Sequence, residues 1–308
     1  MSIAAPIAEV DIAAKPRRSS TARRMARRGI LFALPAALLL VLTYIIPMIV
    51  LAVFSVTDYQ LGALSTSFVG LENFRKAFAD PVFMRALFNT VLYAVIVIPA
   101  GVFLALGIAL LVYNRKRSRA FWEVAYFLPV TATLVAMATV FQFLLHPSLG
   151  PVNAAIKWLG FEPVSFLSNP VLLIPTMAII GIWQVLGFNM VLFLSGLTAI
   201  PKDLHEAARL DGAKNPIDRF LTVTWPMLGP TTMFVVVTTS ISAFKVFETV
   251  AVLTKGRSGS EVLLYAIYLE GFEYSNTGYA AALTLIFLAI VLILSIGQTL
   301  HMDRKVHY

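Results

Sequence analysis

Charge is scarce in this chain. Asp, Glu, Lys and Arg make up only 13% of its 308 residues, while 59% are hydrophobic, and the mean hydropathy is +0.83. A water-soluble domain needs far more charge to cover its surface, so a soluble globular fold is excluded. Cysteine is absent, which rules out disulfides, thiolate chemistry and Cys-ligated metals. The four histidines, His146, His205, His301 and His307, are scattered at the ends of apolar runs, and no His-Glu-x-x-His occurs. Paired carboxylates suited to acid–base work are missing from those runs, where Glu248 stands essentially alone. No catalytic residue and no metal site is therefore expected. The phosphate-cradling pattern Gly-x-x-x-x-Gly-Lys-Ser/Thr is also missing. Gly256-Arg257-Ser258-Gly259-Ser260 is rich in Gly and Ser but lacks the Lys. Any ATP that powers this protein has to be bound, with its Mg, by another chain.

What the chain does have is long apolar runs. Six of them, at about 30–54, 86–112, 121–145, 171–199, 226–250 and 279–300, are long enough to cross the ~30 Å hydrocarbon core as helices. The fold class expected is an all-α integral membrane protein with six transmembrane helices. Basic residues are distributed unevenly around them. Seventeen Lys and Arg fall before residue 30, in the 114–119 turn, in 200–222 and after 300; six fall in the connections 55–85, 146–170 and 251–278. The positive-inside rule then places both termini and the 200–222 block in the cytoplasm. Topology accounts for the net charge of +8, and no nucleic-acid partner is needed. Residues 1–29 read as a basic tail without fixed structure, 30–300 as the membrane domain and 301–308 as a second tail. The first run exceeds a signal-peptide core and no small-residue cleavage site follows it, so it reads as a retained helix.

Between the fourth and fifth runs lies a polar block that cannot sit in hydrocarbon. Pro201 suits the first position of a helix, and Lys202–Leu210 are good helix formers with Asp203 and Glu206 early, where the helix dipole favours acids. Gly212 supplies the positive φ of a sharp turn. Asn215-Pro216-Ile217-Asp218 reads as a second helix start, with Asn as N-cap, then Pro, and an acid at the third helical position.

This block, Glu206-Ala207-Ala208-Arg209-Leu210-Asp211-Gly212 with a later Trp225-Pro226, resembles the EAA loop of ABC-importer permeases. Glu206 and Gly212 match the Glu and Gly of that motif, and Ala207 and Ala208 its small residues. The family places nine residues between the Gly and an Ile-x-Leu-Pro; here ten separate Gly212 from Val223-Thr224-Trp225-Pro226, which leaves the register of the second half open. Further segments are similar to the carbohydrate and glycerol-3-phosphate branch of the family: Phe68-Val69-Gly70-Leu71-Glu72-Asn73-Phe74, Asn89-Thr90, Phe244-Lys245-Val246-Phe247-Glu248, Gly278-Tyr279-Ala280 and the tail Arg304–Tyr308. The resemblance runs from about residue 30 to the end. It implies a permease subunit of a binding-protein-dependent importer for a sugar or a related polyol or glycerol phosphate. Implied partners are a second, related permease, two copies of a cytoplasmic ATPase and an extracytoplasmic substrate-binding protein. Glu206, Ala207, Ala208, Asp211 and Gly212 are the residues expected to couple to the ATPase.

Polar residues inside the spans suggest a pathway. Thr231, Thr238, Ser242, Lys245 and Thr249 recur at helical spacing in the fifth span, and Glu248 is placed to pair with Lys245. In the fourth span, Trp183, Gln184 and Asn189 are the candidates. Gln184 and Asn189 do not share a face of a regular helix, unless Gly187 loosens the backbone between them. Ionisable groups in a span face a bundle interior or a wet cavity, and hydroxyls suit a polyol that both donates and accepts hydrogen bonds. Simple helix–helix packing is the alternative for the whole set. The rival function is an ion-gradient-driven secondary transporter, which would place several ionisable groups at the midplane.

Overall fold

The computed structural model describes residues 20–115 and 117–303. Residues 1–19, Lys116 and the tail 304–308 lie outside the described residues, and so do the readings made of them above. Regular structure is helical apart from one isolated bridge between Thr57 and Phe68. Five helices are long and apolar enough to cross a membrane, or six if one bent pair counts as a single span.

The chain divides into two compact units, one ending at Leu51 and the other beginning at Ala52. In the first, α1 (Ser20–Leu40) begins inside the stretch assigned to the basic tail and passes into a π-helical turn at Val41–Ile45 before α2 (Ile46–Ser55). The π turn falls immediately before Pro47, whose ring and missing N–H disturb the helix one turn earlier.

In the second unit, α3 (Glu72–Ala79) leads into α4 (Pro81–Tyr113), which packs along α8 (Pro170–Ala199). The two long helices start in the same way. The carboxylate of Asp80 accepts from Val82 N at 2.8 Å, and the side chain of Asn169 accepts from Val171 N at 3.0 Å, each with proline at the first helical position. Both run unbroken through an internal proline, Pro99 and Pro175. Their contact is built around Ala94, Val97, Ala105 and Ala109 on α4 and Met177, Ala178, Met190 and Phe193 on α8, all buried. Small side chains allow this approach where lipid offers no hydrophobic drive to association.

The expected third span is not one straight helix. It consists of α5 (Arg119–Thr131) and α6 (Leu134–Leu144), bent by 99° at their junction. Pro129 lies in the last turn of α5, and Ala132 and Thr133 are extended. The next connection holds α7 (Pro151–Trp158).

Beyond α8 come α9 (Lys202–Leu210), α10 (Pro216–Arg219), a π turn at Phe220–Thr224 and α11 (Trp225–Met227). The fifth span is also interrupted. α12 (Gly229–Phe244) stops at Lys245, and α13 (Glu248–Leu253) restarts after Phe247, whose backbone is at φ −146°, ψ −60°. No proline or glycine forces this break. It carries the Phe247 ring into a cluster with Tyr265 and Tyr268, at centroid distances of 6.0 and 5.4 Å. Tertiary packing outweighs local helical preference here. α14 (Leu263–Tyr268), a π turn at Leu269–Glu273 and α15 (Thr277–Asp303) complete the described chain.

The short segments resembling the sugar-importer branch fasten one end of this unit. Asn73 donates to the carbonyls of Ser55 (2.9 Å) and Thr57 (2.8 Å). Asn89 donates to those of Gly259 (2.7 Å) and Glu261 (2.8 Å), and Thr90 Oγ1 accepts from Leu263 N at 2.8 Å. Gly278 N donates to Tyr59 O at 2.7 Å, and the Tyr279 hydroxyl to Asp80 Oδ2 at 2.9 Å.

Candidate functional site

Two places collect the residues singled out from the sequence. The first is a cavity of about 370 Å³ between α4, α8 and the broken fifth span. Gln184, Asn189, Thr238, Ser242, Lys245 and Glu248 all line it, as do Thr249, Tyr93, Phe188 and Thr239.

The break in the fifth span changes the expected polar stripe. Thr231 does not reach the cavity; its hydroxyl lies against α8 at Gly196. Thr238 and Ser242 remain one helical turn apart on α12, but Lys245 sits at the end of that helix and Glu248 begins the next one. The two side chains border the same cavity without forming an ion pair: Arg85–Glu261 and Arg119–Glu123 are the ion pairs among the described residues. The expected Lys245–Glu248 pairing is thus corrected, because the spacing rule behind it assumed an unbroken helix. The ammonium and the carboxylate are both left for water or a ligand. A helix end also leaves its last carbonyls without intrahelical partners, adding acceptors beside Lys245.

On α8 the outcome is mixed. Trp183 is not a wall of the cavity; its ring packs edge-on against Phe141 at 5.5 Å. Gly187 does not loosen α8, which is continuous there. Instead a Cβ on Gly187 would overlap the carbonyl oxygen of Tyr126, so its bare backbone is what lets α5 approach. Gln184 and Asn189 still border one cavity because it is wide enough to reach both. Asn189 is buried at 2% exposure, with its amide donating to Thr239 Oγ1 at 2.9 Å and more weakly to Gly101 O at 3.3 Å. That bond ties α8 to α12 and α4 at the cavity wall. Tyr93 and Thr239 were not anticipated. Thr239 could have been found as the neighbour of Thr238 one step round the helix, whereas nothing local marks Tyr93.

The second place is the polar block. α9 runs from Lys202 to Leu210, as expected, but Pro201 is its N-cap and not its first residue. Its C-terminus is closed by a Schellman arrangement: Ala213 N donates to Ala208 O at 2.9 Å and Gly212 N to Arg209 O at 3.3 Å, with Gly212 at φ +99°. This motif needs a left-handed residue just past the helix end and an apolar contact across it. Gly212 supplies the first; Ala208 and Ala213, within one hydrophobic cluster, supply the second. The Glu-Ala-Ala…Gly spacing therefore has a direct structural meaning.

Asn215 is the N-cap of α10, with Pro216 first and Asp218 third, although the Asn215 side chain makes no capping bond. The stretch in which the additional residue was noted, between Gly212 and Val223, runs into a π turn at Phe220–Thr224. A π turn closes i→i+5 bonds and takes up such an insertion inside a helix. Glu206 is exposed. Ala207, Ala208, Asp211 and Gly212 line a groove of about 660 Å³ shared with Leu221, Val223 and Pro226.

Long spans bracketing a polar cavity, with a capped surface helix beyond their ends, are the build of a helical membrane permease. A chain of the bacterial alginate ABC transporter, crystallised with an alginate-pentasaccharide-bound periplasmic protein, has the same fold, with a TM-score of 0.80 over 92% of this chain and 96% of that one at 24% identity. Residues 97–307 match the family of binding-protein-dependent transport system inner membrane components, and the chain belongs to that family. Among its relatives, the sn-glycerol-3-phosphate transport system permease protein UgpA of Pectobacterium atrosepticum is 30% identical over 89% of this chain and 94% of that protein. The arabinooligosaccharides transport system permease protein AraP of Bacillus subtilis is 31% identical over 86% and 85%. The chain is thus a multi-pass inner-membrane permease subunit of an ABC importer. A secondary transporter, the rival reading, is not supported.

Proposed function

We propose that this subunit forms the translocation pathway for a di- or oligosaccharide, or for a related polyol or glycerol phosphate, at the cavity between α4, α8 and α12. The observation that carries this reading is convergence: seven of the nine residues read from sequence as pathway candidates, all but Thr231 and Trp183, wall one cavity of about 370 Å³, a size ordinary for small-molecule sites. Its wall offers amide, hydroxyl, ammonium and carboxylate groups, a set that matches a ligand with many hydroxyls. The permeases of the relatives named above serve glycerol-3-phosphate and arabinooligosaccharides, which supports the same class here.

Coupling is assigned to Glu206, Ala207, Ala208, Asp211 and Gly212. A helix locked at its end by a Schellman cap moves as a rigid piece, so a push on α9 is transmitted to α10, α11 and the fifth span. ATP and Mg belong to a separate ATPase in two copies, and a second, related permease and an extracytoplasmic binding protein complete the assembly. Closure of the ATPase pair draws the coupling helices together and opens the pathway outward. In this reading both termini and residues 200–222 are cytoplasmic.

The absence of cysteine makes the test direct. Single cysteines at Thr238, Ser242 and Lys245 in the assembled transporter are expected to react with small aqueous thiol reagents. Their rates should change with bound nucleotide and fall when the transported sugar is present. Inaccessibility at all three positions in every nucleotide state would remove the pathway assignment.

A further inference from the structure

A second cavity, of about 540 Å³, opens on another face of α9 from the groove that holds Asp211 and Asp218. Its wall carries His205 and Arg209 from α9 and Arg219 from α10, set against Leu110 and Tyr113 at the end of α4 and Leu197 at the end of α8. No Asp or Glu lines it. Arg209 is exposed and Arg219 half-buried, and they take part in neither of the two ion pairs found among the described residues. The block is therefore electrically divided, with acids in one groove and bases in the other. Tyr113 is additionally overhung by the Arg119 guanidinium, 5.9 Å from its ring centre, which is already paired with Glu123 and adds no unpaired charge.

The position of this cavity matters as much as its charge. Leu110, Tyr113 and Leu197 belong to the last turns of two membrane-crossing helices, so the pocket lies where hydrocarbon meets water. One part of its wall is cationic and another is apolar. Guanidinium groups match the paired oxygens of a phosphate bidentately, and tyrosine favours the headgroup level of a bilayer. Basic pockets at the cytoplasmic ends of spans are a recognised design for anionic lipid headgroups. We infer that the pocket binds the phosphodiester headgroup of an anionic phospholipid, with Arg209 and Arg219 on the phosphate and the acyl chains along half-buried Leu110 and the exposed Ile217, which also lines the pocket. A free phosphate would satisfy the guanidiniums but leave the exposed Ile217 uncovered. The inference rests on the cytoplasmic placement of the 200–222 block proposed above. It gives that block two contacts, one with the ATPase and one with the bilayer.

Native mass spectrometry of the intact purified transporter, titrated with phosphatidylglycerol, phosphatidylcholine or inorganic phosphate, tests it. Phosphatidylglycerol is expected to be retained in preference to phosphatidylcholine. The double variant Arg209→Gln/Arg219→Gln should weaken that retention by about 25-fold, from roughly fivefold per surface base. Lys202→Gln removes a charge from the same helix outside the pocket and should leave retention unchanged, showing that the loss is local. Co-purification of the partner subunits with the double variant checks that it has folded. Equal retention of both lipids, or unchanged retention in the double variant, overturns the inference. Displacement of the lipid by millimolar phosphate would make this a free-anion site, and binding only to the permease freed of its ATPase would make it a protein interface; either also overturns it. The readout is lipid retention and not uptake, so it can fail while the transport reading stands, and the reverse.

Discussion

Replacing Gly212 by valine isolates one physical quantity, the cost of forcing a β-branched residue into left-handed backbone. Gly212 sits at φ +99°, and a Cβ built on it meets nothing within 4 Å. No packing clash accompanies the substitution, so the penalty is conformational, about 1–3 kcal/mol. At 1.4 kcal/mol per factor of ten, the capped turn would be depopulated by about fivefold to 150-fold relative to its alternatives. What is lost is the pair of bonds from Ala213 N and Gly212 N to Ala208 O and Arg209 O, hence the angle at which α9 is held. Membrane levels should stay normal, because the turn lies outside the spans. Substrate-stimulated ATP hydrolysis and ATP-driven uptake in proteoliposomes should both fall at least about fivefold. Asparagine tolerates positive φ better than valine does, so Gly212→Asn should retain more activity than Gly212→Val. Wild-type uptake and stimulation in Gly212→Val would refute both the strain argument and the role given to α9.

The other expectations follow from the same geometry. Ala213→Cys should be labelled by impermeant reagents only from the cytoplasmic side, and labelling from outside intact cells would invert the topology. Ser242→Leu should abolish uptake while basal ATP hydrolysis by the complex persists, since α9 is untouched; normal uptake would leave the cavity as helix packing. Asn189→Leu strands the buried Thr239 hydroxyl and should cost about 1–3 kcal/mol, read as a lower midpoint of thermal unfolding in detergent. An unchanged midpoint would show that the 2.9 Å bond contributes nothing. Trp183→Ala should leave uptake within about twofold of normal, because the ring packs on Phe141 outside the cavity; loss of substrate recognition with normal expression would return Trp183 to the pathway.

The spans were legible where apolar length alone decides, as in α4 and α8, whose ends carry Asx-Pro starts visible in the sequence. The turn chemistry of the polar block was equally legible: Gly212 and Asn215-Pro216 act through local backbone rules that need no tertiary information. The break at Lys245 was not, because no glycine or proline announces it. It follows from where the Phe247 ring finds Tyr265 and Tyr268, residues about twenty positions further on. The 99° bend between α5 and α6 left a sign in Pro129, but proline also passes unbroken through α4 and α8, so its presence alone could not decide. Trp183 was hard to place for a related reason: an aromatic ring looks the same in sequence whether it faces a cavity or the neighbouring Phe141.

Asn89 and Thr90 hold the segment from Gly259 to Leu263 through that segment's carbonyls and amide, not through its side chains. A clamp of this kind is blind to residue identity. Yet the bonds last only while the backbone keeps its course, and that course is held by Gly259 at φ +79° and by the buried Ser260, Val262 and Leu263, so a change at any of these can undo the fastening without touching Asn89 or Thr90.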